Sequence, residues 1–263
     1  MEVHHKHHVP KNWKEYITEF FMLFAAVSIG FLAENIREHQ IEQNRASEFI
    51  DMFKIEIGKN EHLIDSVIKQ DMPLLNYYDS LMFALRDKSQ KISLYDINKD
   101  FSLWIYRFAN DKRIFDQMKN SGSLRYIKDP ALIDKITEYE MEADVAEFRS
   151  FTQEQDQWLS YWEKIKPFLP ADFFISANPK IYEKLMSIGD VGSKLRGKYL
   201  ESMREGLKNK YLSDQARDVF AGELYQRTTF MRLSIANFTR VKKKGKALIE
   251  ALDQYKNKRS GFI

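Results

Sequence analysis

The residues best equipped for chemistry fall into a few groups, and each can be weighed by what its spacing permits. His4, His5, His7 and His8 crowd into "HHKHH"; imidazoles at that density can take a divalent metal where no fold competes for them. At a chain end they read more simply as part of a short tail, residues 1–14. Gly192-Ser-Lys-Leu-Arg-Gly197-Lys198 reproduces the G-x-x-x-x-G-K core of a phosphate-binding loop. Tyr199 then stands where a Ser or Thr would hold magnesium, and "KIYEKLMSIGD" before it reads as helix and turn, so nucleotide binding is not expected. Glu138, Glu140, Glu142, Asp144 and Glu147 form an acidic run in which Glu140, Asp144 and Glu147 share one helical face. Carboxylates so placed can gather a hard cation, but no Glu-x-x-His partner accompanies them, and a solvated face is the expectation. Cysteine is absent, which removes thiolate ligands, disulfides and a thiol nucleophile. No catalytic residue, cofactor or metal site is assigned.

Two further clusters have bland and sharp readings. Arg240, Lys242, Lys243, Lys244 and Lys246 could meet acidic lipid or a partner, or simply face water along a helix. Trp158, Trp162, Phe168, Phe173 and Phe174 could line a pocket, yet aromatics at helical spacing are expected to form core.

The elements that must position these groups begin with "FFMLFAAVSIGFLA", Phe20 to Ala33, a run without a charge in a chain that is 30% charged. Tyr16 to Ala33 carries Glu19 as its one charge and reaches about 27 Å as a helix, against a hydrocarbon core of about 30 Å. Trp13 and Tyr16 stand at its edge with Lys11 and Lys14 beside them, as at a headgroup layer, and Glu34, Arg37 and Glu38 close the far end. Residues 15–34 are therefore expected to be a transmembrane helix in a lipid bilayer. A buried core helix and a cleaved signal are the other readings; Phe31 and Ala33 suit a signal cleavage site poorly, although Ser28 and Gly30 would pass. Lys6, Lys11 and Lys14 precede the segment while Arg37 and Arg45 follow it, which tilts the N-terminus to the cytoplasm and the bulk to the periplasm of a bacterial inner membrane. Glu19 must reach the interface or find a partner. Ala26 and Gly30 have the small-x-x-x-small spacing that lets two membrane helices approach, as in a homo-oligomer.

Residues 35–263 are expected to form a helical bundle with a membrane-proximal stalk. Ten glycines and six prolines in 263 residues punctuate the chain too sparsely for a sandwich or barrel, and 44% hydrophobic content supports a core. The net charge of +3 gives no footing for nucleic-acid binding. Ala46, Phe49, Phe53, Ile57, Ile64 and Val67 recur at helical steps, with Glu42, Glu48, Asp51, Glu56 and Lys59 largely off the stripe. Asp71-Met72-Pro73 is expected to break that helix, with Leu74 to Arg86 forming another and Asp87 to Asp100 a loop. Phe101, Trp104, Ile105 and Phe108 repeat helical spacing. Asn120-Ser121-Gly122 fits a helix end, and Asp129-Pro130 an N-cap and first turn; Leu132, Ile136, Tyr139, Ala143 and Ala146 then mark a buried face. Asp172 to Lys180 reads as irregular. Lys194 to Tyr211 and Ser213 to Lys258 read as the last helices, with Leu224, Met231, Ile235 and Phe238 inward. The fold class is all-α, with long antiparallel helices.

The patterns "WKEYITEFFMLFAAVSIGFLAENIREH" and "FDQMKNSGSLRYIKDPALIDKITEYE" resemble a family of functionally uncharacterised single-span, all-helical membrane proteins of Bacteroidota. Its recurring interhelix turn is matched by Ser121, Gly122, Leu124 and Ile127. The resemblance implies the architecture and brings no catalytic residue or cofactor. The leading expectation is a non-enzymatic, membrane-anchored interaction, sensing or scaffold module with a membrane or periplasmic protein partner. An accessory subunit of a transport or ion-conducting complex using Glu19 is the alternative. An enzyme would need buried carboxylates around one cavity.

Overall fold

The computed structural model describes residues 12–100, 105–176 and 201–260. Helix α1, Trp13–Arg86, is 74 residues long and reaches about 110 Å. It is followed by α2 (Leu94–Asp100), α3 (Arg113–Asn120), a 3₁₀ turn at Ser123–Tyr126, and α4 (Pro130–Phe148). A π turn, Arg149–Gln153, joins α4 to α5 (Glu154–Ile165); a 3₁₀ turn at Lys166–Phe168, α6 (Ala171–Ser176), a helical stretch at 201–205 and α7 (Asp214–Ser260) follow. Among the described residues there is no strand, only an isolated bridge between Ser93 and Tyr211.

The second half of α1, the α4–α5 arm and α7 pack side by side. Direction is fixed by ion pairs of α1 with α7, Asp51 with Lys256, Lys54 with Asp253, Asp65 with Lys242 and Asp79 with Arg232, and by Lys88, just past the end of α1, with Asp218. As one number rises the other falls, so the two helices are antiparallel and in a single register. Exposed pairs of this kind contribute only about 0–1 kcal/mol each, so they select register more than they stabilise. Glu138 with Lys244 and Glu142 with Arg240 run α4 against α7 in the same way. The α4–α5 arm therefore runs parallel to α1. The expectation of antiparallel neighbours holds for α7 against both and fails for α1 against α4.

Stability lies in two apolar cores. Near the base, Ile50, Phe53 and Ile57 of α1 meet Leu132, Ile136 and Tyr139 of α4 and Val241, Leu248 and Leu252 of α7. Near the top, Leu75, Tyr78 and Leu85 meet Tyr161 and Ile165 of α5 and Phe220 and Leu224 of α7. Each fully buried side chain of this size contributes about 1.5–3 kcal/mol. That sum explains why Pro73 does not break α1, as the local rule predicts. A proline inside a helix costs about 3 kcal/mol, and the buried Leu75, Tyr78, Leu81 and Leu85 beyond it outweigh that cost. Gly245 marks the closest approach in the lower core: a Cβ there would meet Ile57 at 3.1 Å and Tyr139 at 3.3 Å.

Local grammar decides the helix ends. The Asp129 carboxylate accepts from the backbone N–H groups of Ala131 and Leu132, ahead of Pro130. Gly122 takes φ 68°, the left-handed conformation that glycine adopts without strain. Ser213 Oγ accepts from Ala216 N at the start of α7. Arg217, almost fully buried, closes the other end of α1 by donating to the carbonyls of Ala84, Leu85, Asp87 and Gln90. The carbonyls of Ala84 and Leu85 are among those a helix end leaves without intrahelical partners, and a cation is the charge that end attracts.

Four segments differ from the sequence reading here. Leu94–Asp100 is helical within the expected loop, started by Ser93, whose Oγ accepts from Asp96 N. Ala171–Ser176 is helical where irregular chain was expected, and of the expected helix over 194–211 the described part is helical at 201–205 and then turns. Ile105 and Phe108 are in non-helical chain, while Phe101 and Trp104 lie outside the described residues. Residues 105–112 instead carry the chain back from the top of the bundle to its base, which is how two parallel helices come to be connected.

Candidate functional site

The first part of α1 stands apart from both cores. One described helix is long and apolar enough to cross a membrane, and none of its apolar window is buried. Phe20, Phe21, Leu23, Phe24, Val27, Ile29, Phe31 and Leu32 are all exposed, and only Glu19 and Ser28 are half-covered between Trp13 and Ile41. Ala26 and Gly30 are exposed, and nothing lies near the space a Cβ on Gly30 would occupy. A core helix of the same composition would be buried; this stretch contributes no residue to either core among the described residues. Below it α1 becomes one-sided: Ala46, Ile50, Phe53, Ile57, Ile64 and Val67 are buried and Phe49 is half-buried, as the spacing predicts. From Ala46 onward the expected stalk is thus a wall of the bundle.

The lower core contains a polar layer that the stripe pattern hid. Glu56, expected off the buried face, is buried, and its carboxylate accepts from Ile114 N at 2.6 Å and Phe115 N at 3.3 Å in the first turn of α3. One turn on, Asn60 accepts from Asp111 N at 2.9 Å and donates to Asp111 O at 3.0 Å and to Asn110 Oδ1 at 2.8 Å. Ser150 does the same for Phe108, accepting from its N–H and donating to its carbonyl. These side chains replace the hydrogen bonds that residues 105–112 lack as non-helical chain. A sequence signal for them exists only in retrospect, as Glu56 and Asn60 one turn apart at the edge of an apolar stripe.

Glu140 departs most from expectation. The predicted solvated face holds for Asp144, which is half exposed and bonded to Lys112. It fails for Glu140, which is 3% exposed, because Asn110 donates to its Oε2 from the crossing chain and covers it. Its Oε1 has no hydrogen-bond partner. Burial pushes the carboxyl up to about 8, against the Asn110 hydrogen bond and with help from nearby Glu56 and Asp144. Among the described residues no three His, Cys, Asp or Glu side chains gather to hold a metal ion.

An upper polar layer joins α1, α5 and α7 through Asp71, Glu154 and Arg227, all nearly fully buried. Arg227 lies over the rings of Trp158 at 4.6 Å and Tyr78 at 5.4 Å. The aromatic cluster expected as core is core here: Phe173 is buried, Trp158, Trp162 and Phe174 pack against it, and Phe168 is half-buried. The basic run on α7 is largely engaged, with Arg240, Lys242, Lys244 and Lys246 paired to Glu142, Asp65 or Glu61, Glu138 and Glu61.

The interhelix turn is structural. Ser121 Oγ donates to Gln117 O at 2.6 Å and meets Ser123 Oγ at 2.7 Å, while Ile127 is buried and Leu124 half-buried in the lower core. His4–His8 and the Gly192–Lys198 stretch lie outside the described residues. A surface groove of about 350 Å³ runs past Met52, Ile55, Glu56, Lys59, Asp111 and Arg113. Its acids are occupied, Glu56 by α3 and Asp111 by Arg113, and do not converge on open space. No family model, curated protein or solved structure matches this chain.

Proposed function

We propose that Tyr16–Ala33 crosses a bilayer and that the bundle is a non-enzymatic interaction module anchored by it, acting as a scaffold or sensor for a membrane or periplasmic protein. The observation that carries this reading is that no residue of the apolar window is buried, in a chain whose other long helices bury their apolar faces. A patch of that size in water is an aggregation hazard, whereas in hydrocarbon it is the favoured state. The flanks support it, with Trp13 and Tyr16 at one end and the Glu34–Arg37 pair at the other. So does the resemblance to single-span proteins of Bacteroidota. Lysines before the segment favour a cytoplasmic N-terminus at the inner membrane.

Fractionation tests the anchor: the full chain stays in the membrane pellet after an alkaline carbonate wash, and recovery in the supernatant contradicts the reading. A membrane-impermeant thiol reagent tests orientation, since the chain has no native cysteine. A single cysteine at Asp51 reacts in spheroplasts if the bundle is periplasmic and only after lysis if it is not. Mild cross-linking in native membranes recovers a stoichiometric partner or a second copy; neither being found contradicts an interaction role. Glu19, the one charge between Tyr16 and Ala33, carries the accessory-subunit alternative. If Glu19→Gln reproduces the cellular phenotype of deleting the protein's gene at unchanged membrane levels, that alternative takes precedence.

A further inference from the structure

We propose that Asp71, Glu154 and Arg227 form a proton-operated joint in which the two carboxylates share one proton and release of that proton loosens α1 from α5 and α7. The proposal concerns the bundle alone and does not depend on the membrane reading.

The argument is one of buried charge. From α1 the layer receives Asp71, Tyr77, Tyr78 and Asp79; from α5, Glu154, Tyr161 and Lys164; from α7, Glu223, Arg227 and Arg232. Arg232 pairs with Asp79 at 2.5 Å and Lys164 with Glu223 at 2.8 Å, which sets aside two opposite pairs at the rim. Tyr161 is held neutral, its phenol pushed far up by burial. Among the described residues, what remains inside is two carboxyl groups against one guanidinium. With both acids ionised the layer carries an uncompensated negative charge in a medium where that costs several kcal/mol. One bound proton removes it.

The geometry agrees. Asp71 and Glu154 are each 3% exposed, and Asp71 Oδ2 and Glu154 Oε1 have no hydrogen-bond partner. A buried oxygen without a donor is tolerable on a neutral acid and costly on a carboxylate. Burial, then the proximity of Glu154, pushes Asp71 up to about 8, and burial raises Glu154 against the pull of Arg227 and a hydrogen bond with Ser234. Both backbones are also irregular beside these acids. Pro73, two residues past Asp71, gives no N–H to the helical ladder, and the π turn Arg149–Gln153 ends where Glu154 begins. The charge mismatch therefore sits where α1 and the α4–α5 arm have the weakest local ladders. The sign follows from the raised acids: between the ordinary aspartate value of 3.8 and about 8 the folded bundle holds a proton that the unfolded chain has given up, so the stability this proton supplies is full below that window, declines across it and is gone once pH passes about 8.

The test uses the full chain in detergent micelles with Glu140→Gln as the parent, which removes the other strongly raised acid. Infrared spectra of this parent show the carboxylic-acid C=O stretch at pH 6, lost with a midpoint above pH 7, and its melting temperature falls as pH rises toward that midpoint and levels off above it. Asp71→Asn and Glu154→Gln each leave one acid against one arginine, so each abolishes the band and flattens the melting profile between pH 6 and 9. A band absent from the parent at pH 6, retained in either variant, or lost without any change in melting overturns the proposal. Should a variant not fold, the parent titration decides alone, with a midpoint below pH 6 as the contradicting result.

Discussion

Residues 16–33 and 46–85 belong to one unbroken helix, yet the chain treats them as if they stood in different solvents. The first stretch presents Phe20, Phe21, Met22, Leu23, Ile29 and Leu32 all round its circumference, and every one is exposed. The second confines Ile50, Phe53, Ile57 and Ile64 to one side, fully buried, and on its other sides mixes Lys, Glu and Asp with scattered exposed apolar residues such as Ile55 and Leu63. A helix that is apolar all round has no side to turn to water, whereas a one-sided helix needs both a core and water. Helical periodicity alone does not separate the two; the distribution of charge around the axis does. The difference teaches that α1 is continuous in backbone and discontinuous in environment, with the change falling between Glu34 and Arg45.

Substitutions that treat the two stretches alike break or sharpen this contrast. Phe53→Ala should cost the bundle about 3–5 kcal/mol, read as the urea midpoint of near-ultraviolet circular dichroism in detergent. Phe24→Ala, the same change in the first stretch, should leave that midpoint where it was. Val27→Arg reverses the pattern, with bundle melting unchanged and membrane insertion penalised by about 2.5–3.5 kcal/mol, visible as a larger carbonate-extractable fraction. Asn60→Leu removes the donor and acceptor that serve Asp111 and should cost about 1–3 kcal/mol, with faster hydrogen exchange at residues 108–115. Gly245→Ala sets a helix-propensity gain of about 1 kcal/mol against overpacking of about 1–3 kcal/mol beside Ile57 and Tyr139. The net expectation is a small loss of bundle stability, with membrane retention unaffected.

How much of this was legible in the sequence depended on how local each determinant is. Asp129-Pro130, Gly122 and the Leu132–Ala146 face were read correctly because caps, positive φ and periodicity act within a few residues. Pro73 misled for the same reason in reverse. Its effect on the ladder is local and its compensation by Leu75, Tyr78 and Leu85 packing on α5 and α7 is not. The spacing of Ile105 and Phe108 suggested a helix, but Asn60 and Ser150, 51 and 42 residues from the backbone groups they serve, make non-helical chain workable there. Buried acids were the least legible. Glu56, Glu140, Asp71 and Glu154 look like surface residues until the crossing chain, α5 and α7 close over them. The parallel course of α1 and α4 was hidden too, since it depends on where residues 105–112 run.

The contrast within α1 is tested most directly by a single-cysteine scan of the full chain in native membranes, against its naturally cysteine-free background. Cysteines at Leu23, Val27 and Phe31 should resist a water-soluble maleimide until detergent is added, while those at Glu38 and Asp51 react at once on the side the bundle occupies. Equal reactivity at all five positions before detergent, or recovery of the labelled chain as a soluble species, would contradict the account.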